Sequence, residues 1–318
     1  MKRILARHSP LLILAGLCVA LAVWSPEFRQ TNNLQQVALR TCVVGIMAIG
    51  QILVILTAGI DLSVGSVAAL SAVVAGLLMT KAELPIVVAV LAGCGTGLAC
   101  GALNGLLITK GRIPPFIVTL GMMLAARGAA LLIADAKPVY GLPASFLYLG
   151  GGKKIGDVGG WWIPVVIVLV LMTVFAVTLA FTRFGRSLFA TGGNLAGARL
   201  SGIAVDSVRT RAYMLCGLLA AFAGIMEAAR LSSANPSGYE GYELEAIAAC
   251  VIGGASLMGG EGGAVGVIAG ALIMKVLVNI CNLKDISVHW QGVLVGTLIV
   301  ALVYYDHLRK RRAGLLRE

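Results

Sequence analysis

Apolar residues run in long blocks along this chain, separated by short polar stretches. The blocks cover 9–25, 37–58, 64–80, 85–109, 115–134, 161–181, 212–229, 243–258, 263–281 and 287–305. An α-helix needs roughly 20 apolar residues to cross the hydrocarbon core of a bilayer. Most blocks approach that length, so the pattern predicts an all-α, polytopic integral membrane protein of about ten transmembrane helices. Glycine-rich interruptions at 57–66 and 252–263 predict that some of these helices are broken.

Composition narrows the class. Of 318 residues, 59% are hydrophobic and 12% charged, against about 45–50% and about 25% in an ordinary soluble domain. Too few charges are present to cover a soluble surface, which argues against a cytoplasmic enzyme or a disordered regulator. The net charge of +11 could suggest nucleic acid, but the distribution of basic residues gives another reason. With the N-terminus in the cytoplasm, cytoplasmic segments hold Lys2, Arg3, Arg7, Lys110, Arg112, Arg183, Arg186, Arg199, Arg209, Arg211, Arg309, Lys310, Arg311, Arg312 and Arg317. The opposite side holds only Arg29, Lys81, Lys137, Lys153, Lys154 and Lys284. Such asymmetry is the positive-inside signal, and it puts both termini in the cytoplasm. Trp24, Trp161, Trp162 and Trp290 all fall at predicted outer ends, where an aromatic belt belongs. The basic start before Leu11–Val23 resembles a signal peptide, but further spans continue down the chain, which favours an uncleaved first helix. The seven cysteines form no CxxC pair and lie in or beside apolar runs. They read as small buried hydrophobes, with no disulfide framework and no metal site.

Glycine, at 41 residues, is about twice its usual share. Gly93, Gly97, Gly101 and Gly105 repeat every four residues, as do Gly262, Gly266 and Gly270. That spacing puts small residues on one helix face, so backbones approach closely. Four other features carry candidate chemistry. In Thr57–Ser66, Asp61 and Ser63 suit either capping of the next helix or a translocation path or gate, since an intramembrane acid normally faces protein or a water-filled cavity. Asn104, on the glycine-rich span, has the same two readings, path residue or helix bridge. The 182–211 segment is the longest predicted cytoplasmic loop. Within it 194–203 reads as a short helix, with Asn194 as N-cap and Gly202 as stop. Leu195, Arg199 and Ile203 stack on one side, with Ala196 and Leu200 beside them. So short a helix is unstable alone and docks on the chain's own helix ends or in a partner's groove. Glu227 and Arg230, one turn apart at an outer end, and the following Tyr239, Tyr242, Glu243 and Glu245 suit either internal pairing or contact with a periplasmic partner. Finally, Ile252–Gly263 echoes the first break, as a duplicated pair of broken helices would. No phosphate-binding loop motif occurs, so ATP hydrolysis is not expected in this chain. No catalytic constellation is evident.

Several of these stretches carry a resemblance. Gly59-Ile60-Asp61-Leu62-Ser63-Val64-Gly65-Ser66 resembles the signature of permease subunits of bacterial ABC sugar importers of the ribose, xylose and arabinose type. Lys110-Gly111-Arg112-Ile113-Pro114-Pro115-Phe116-Ile117-Val118-Thr119-Leu120, Gly192-Gly193-Asn194 with Arg199-Leu200-Ser201-Gly202-Ile203, Arg230-Leu231-Ser232-Ser233, and Gly241 to Ala249 with Gly253-Gly254 match in the same order. The similarity covers roughly residues 30–305. It implies one transmembrane permease domain over 1–318 in the bacterial inner membrane, paired with a second permease subunit, identical or a paralogue. It also implies an ATP-binding subunit that holds ATP and Mg, and a periplasmic solute-binding protein. The 193–203 segment (Gly193, Asn194, Leu195, Arg199, Leu200, Ser201, Gly202, Ile203) would be the coupling helix seated in the ATPase. Relatives usually carry an acid just after the Asn, where this chain has Leu195. The expected function is inward movement of a small neutral solute, a monosaccharide by resemblance, with membrane lipid as surroundings and no nucleic acid partner. An ion-coupled secondary transporter is the alternative, for which the docking-like loop would be incidental.

Overall fold

The structure is a computed structural model and describes residues 2–152 and 160–312. Lys153, Lys154 and Arg317, which enter the sequence reading, lie outside the described residues. The fold is all-helical: α1 (Lys2–Trp24), α2 (Thr31–Leu56), α3 (Val64–Thr80), α4 (Ile86–Thr109), α5 (Pro115–Ile133), α6 (Trp162–Phe181), α7 (Arg183–Gly193), α8 (Leu195–Leu200), α9 (Val205–Leu231), α10 (Tyr242–Ile252), α11 (Ala264–Leu283) and α12 (Val288–Arg312). Two short 3-10 turns, Pro26–Arg29 and Phe146–Gly150, join them. Among the described residues the only β pairing is an isolated antiparallel bridge between Val139 and Ala234.

Every apolar block falls on a helix, but unequally. Among the described residues six helices (α2, α4, α5, α6, α9 and α11) are long and apolar enough to cross a membrane; shorter apolar stretches lie in α1, α3 and α12. The 243–258 block is helical only through Ile252. It stops where Gly253 and Gly254 follow, the latter at φ 88°, a left-handed conformation that glycine adopts without steric cost. In contrast, α9 begins at Val205, seven positions before the apolar block, because its first two turns carry Asp206, Arg209 and Arg211 outside the apolar zone.

The core is built on α2. Every residue from Thr41 to Leu56 is buried, which is why this helix is apolar on all sides rather than amphipathic. Against α3 and α4 lies α9. The glycine stripe of α4 faces it directly: Gly97 meets Gly217 and Ala221, Gly101 meets Tyr213 and Met214, and Gly105 meets Thr210. The numbering rises on α4 as it falls on α9, so the two run antiparallel. A Cβ on Gly101 would come within 2.9 Å of the Met214 Cα, so the seam closes only with glycine there. Gly266 and Gly270 of α11 do the same against Gly253 and Ala249 at the end of α10. The outward faces of α4, α5 and α6 remain exposed and apolar, with Leu91, Leu124 and Leu169 among them.

Candidate functional site

The first glycine-rich break closes α2 and is then stapled into place. Gly59 N–H returns to Val54 O at 3.1 Å, and Ala58 adopts φ 59° to make that turn. Beyond it, Asp61 Oδ1 accepts from the Ser63 backbone N–H at 2.9 Å and from the Ser63 hydroxyl at 2.6 Å. Asn104 Nδ2 donates to the same hydroxyl oxygen at 3.1 Å. The Gln51 side-chain amide, oriented to satisfy both its atoms, pairs with the backbone N–H and C=O of Asp61, each at 3.1 Å. Gln51, Asp61, Ser63 and Asn104 are all at most 1% exposed. The structure thus brings Asp61, Ser63 and Asn104 into one buried chain tying the break to α2 and α4. In this conformation they face protein. Gln51 escaped the sequence reading, although a lone amide inside an apolar block is itself a signal for a buried polar contact.

The second break folds on itself through Ser256 N–H to Glu261 O at 3.1 Å and Gly259 N–H to Ser256 O at 3.0 Å. It meets the first break: Gly260 N–H donates to Leu56 O at 3.1 Å, and Gly259 packs on Ala58. The C-terminal end of α7 closes the same junction. Gly192 abuts Leu56 O, and a Cβ on it would lie 2.6 Å from Gly260 N; Gly193 Cα lies on Gly260. Two features far apart in sequence and the start of the predicted coupling segment therefore share one contact.

The segment predicted to couple to a partner differs in its bounds from the sequence expectation. Residues 183–193 form a helix of their own, α7, capped by Thr182, whose hydroxyl accepts from Gly185 N–H at 3.0 Å. Its three glycines disguise it as loop, since glycine is a poor helix former; two of them, Gly185 and Gly192, serve close packing against neighbouring backbone. Asn194 is the N-cap of α8, its Oδ1 accepting from Gly197 N–H at 2.8 Å. The helix ends at Leu200, with Gly202 at φ 78° and Ile203 N–H returned to Ala198 O at 3.0 Å, as in a glycine-terminated helix end. Ile203 consequently leaves the helix and packs against the core, instead of stacking on Leu195 and Arg199. Leu195 is 41% and Leu200 90% exposed. Arg199 pairs with Asp206 at 3.1 Å on the surface.

At the other end of α9, Arg230 grips Glu227 with two bonds of 2.6 and 2.7 Å. The Tyr242 hydroxyl donates to Glu227 at 3.3 Å, and that of Tyr239 to Gly224 O at 2.9 Å. The two tyrosine rings meet edge to face at 5.9 Å. Lys275 of α11 extends this group, bonded to Glu245 at 2.5 Å and 5.0 Å from the Tyr242 ring centroid. Glu227 and Tyr239 are buried, so their polar groups are satisfied within the chain. The Lys275–Glu245 pair was not legible in the sequence because 30 positions separate the partners. Another contact that sequence reasoning missed is Arg127 of α5, which donates to Pro236 O and Gly238 O, both at 2.6 Å, and holds the loop before α10.

Residues 33–303 match the protein family described as branched-chain amino acid transport system / permease component. The ribose import permease protein RbsC of Escherichia coli (strain K12) is 42% identical over 313 residues, covering 97% of this chain and 96% of that protein. RbsC of Bacillus subtilis (strain 168) is 40% identical, covering 98% and 95%. The D-allose transport system permease protein AlsC of Escherichia coli (strain K12) is 36% identical, covering 95% and 92%. No solved structure matches.

Proposed function

Because the chain belongs to this permease family, we propose that it is the membrane-spanning subunit of an ATP-driven importer that moves a monosaccharide-sized neutral solute inward. The family description names amino acids, whereas the ribose and allose permeases resemble this chain along nearly its whole length. The internal pairing of Glu227 with Arg230 and of Lys275 with Glu245 supports a neutral solute over a zwitterion, since neither pair offers an unspent charge. ATP and Mg belong to a partner subunit that docks on α8, and a periplasmic binding protein delivers the solute at the opposite end, near 231–240. The subunit works beside a second permease subunit in the bacterial inner membrane, crosses it about ten times and keeps both termini in the cytoplasm.

The observation that carries the reading is Leu200, 90% exposed on a helix capped at both ends and flanked by basic residues. A helix that presents an aliphatic side chain in a polar segment can be taken up in a partner's hydrophobic groove. The route onward is also short, because Gly192, two residues before the α8 cap, touches Leu56 at the end of α2 and Gly260 in the second break. Movement of α8 by nucleotide-driven closure would reach the stapled ends of α2 and α3 and of α10 and α11 through α7, shifting the population between inward- and outward-open states.

Two variants test this in co-expressed complexes. Arg199→Glu with Leu200→Asp is expected to abolish co-purification of the ATPase subunit. Gly192→Ala is expected to keep co-purification and lose most solute-stimulated ATP turnover, because its methyl displaces two backbones. Retained ATPase binding and stimulated turnover in the double variant would remove α8 from the coupling role.

A further inference from the structure

We propose that a slot between α4, α7 and α9 binds an anionic phospholipid, with an acyl segment in the slot and the headgroup phosphate on Arg211. The slot holds about 230 Å³ and is lined by Leu98, Phe184, Met214, Leu215 and Arg211. The four apolar walls are half-exposed and Arg211 is exposed, so the cavity opens sideways rather than into the core. That is the shape and polarity of one chain segment beneath one anionic group.

Charge at the mouth points the same way. Arg183 and Arg186 flank Phe184 in sequence and are exposed. Between Phe181 and Arg211 the only acid is Asp206, and it is engaged by Arg199. No carboxylate in this segment is therefore left to neutralise Arg183, Arg186 and Arg211. The helix that forms one wall has the make-up of an interfacial helix: in α7, Leu188 is buried and Phe184 and Phe189 pack on the core, while both arginines face outward. Amphipathic helices of this kind lie at the headgroup level, and each basic residue near an anionic surface adds to the attraction. Placement in the inner leaflet rests on the cytoplasmic position of α7 and α8 proposed above. Because α7 ends in Gly192 and Gly193 at the junction of the two breaks, a bound lipid steadies the lever between ATPase and bundle.

A second groove, about 490 Å³ between α1, α2 and α11, has a single cation in its lining, Arg29, with Glu27 two residues away in sequence. It supplies an internal control. The full-length permease in mild detergent is titrated with phosphatidylglycerol or phosphatidylcholine of equal chain length, and bound lipid is counted by native mass spectrometry. Phosphatidylglycerol is expected to be retained about fivefold over phosphatidylcholine, and Arg211→Gln to remove about that factor, as one interfacial arginine would. Leu98→Trp, which fills the slot, is expected to lower retention of both lipids, and Arg29→Gln to change neither. Wild-type retention in both Arg211→Gln and Leu98→Trp overturns the site. So does an equal loss in Arg29→Gln, which would mean diffuse charge alone. The readout uses the permease without its partners, so failure of ATPase docking in the α8 test leaves this result unaffected, and the reverse holds too.

Discussion

Asp61 is a buried carboxylate held by hydrogen-bond donors: the Ser63 backbone N–H and hydroxyl both meet one of its oxygens. A buried donor left without its acceptor costs about 1–3 kcal/mol, so the acceptor atom matters here before the charge does. Asp61→Asn keeps a carbonyl oxygen for both donors and is expected to transport within about twofold of wild type with little change in melting temperature. Asp61→Ala orphans both donors and is expected to lower the melting temperature by roughly 2–4 °C for each kcal/mol lost. Thermal melts of the purified proteins beside uptake assays decide it. If Asn proves as damaging to transport as Ala while melting like wild type, the carboxylate's charge takes part in gating and the staple account fails. Asp61, Ser63 and Asn104 all stood out in the sequence because polar side chains are rare and costly at membrane depth. What the sequence could not supply was their mutual contact, since Asn104 arrives from a different helix, 41 positions after Ser63. The same limit hid Lys275 and Glu245. Each is conspicuous as a charge near an apolar block, and nothing local assigns one to the other.

Among the elements, α4 shows how far periodicity reaches. Its four-residue glycine spacing foretells a close helix contact but not which helix, and the structure supplies α9. The stripe also separates two kinds of glycine on one helix. Gly101 faces the Tyr213 and Met214 backbone, whereas a Cβ on Gly95 meets nothing within 4 Å. Gly101→Ala forces overpacking, with a typical cost of about 1–3 kcal/mol. Gly95→Ala gains helix propensity, about 0.8–1.0 kcal/mol in soluble hosts. The expectation is a lowered melting temperature for the first and an unchanged or raised one for the second. Equal melting of the two variants would mean that the α4–α9 seam is looser than described. Glycine misleads the reading of α7 but not of the end of α10, where the apolar block alone runs too far. Glycine in a sequence reads as a break, yet in α7 Gly185 and Gly192 sit inside a helix because neighbouring backbones leave no room for a side chain. In α10, Gly253 and Gly254 do end the helix, well short of the apolar block.

For the molecule as a whole, the two ends of α9 set the sidedness on which the transport reading depends. α9 has 27 residues and is therefore about 40 Å long at 1.5 Å per residue. At its C-terminal end, Ala234 pairs with Val139, which fixes the 134–142 segment to that face. At its N-terminal end lies α8, through Ile203 and Ala204. The Lys284 ammonium, 5.6 Å from the Trp24 ring centroid, sets the close of α11 beside the close of α1, as alternating passes require. Tyr140 is 69% and Leu200 90% exposed, so a cysteine at either position reports one face. Five native cysteines are buried; replacing half-exposed Cys18 and Cys94 removes the remaining background. With a membrane-impermeant maleimide, Leu200→Cys is expected to react only in inside-out vesicles and Tyr140→Cys only in right-side-out ones. Labelling of both from one side would break the up-and-down trace of α9. Labelling from opposite sides in the reverse sense would keep the trace and invert the protein, putting α8 where no ATPase could reach it. The asymmetry of the basic residues predicts the first pattern, because Arg183, Arg186, Arg199, Arg209 and Arg211 gather at the α8 end, where the positive-inside rule retains them.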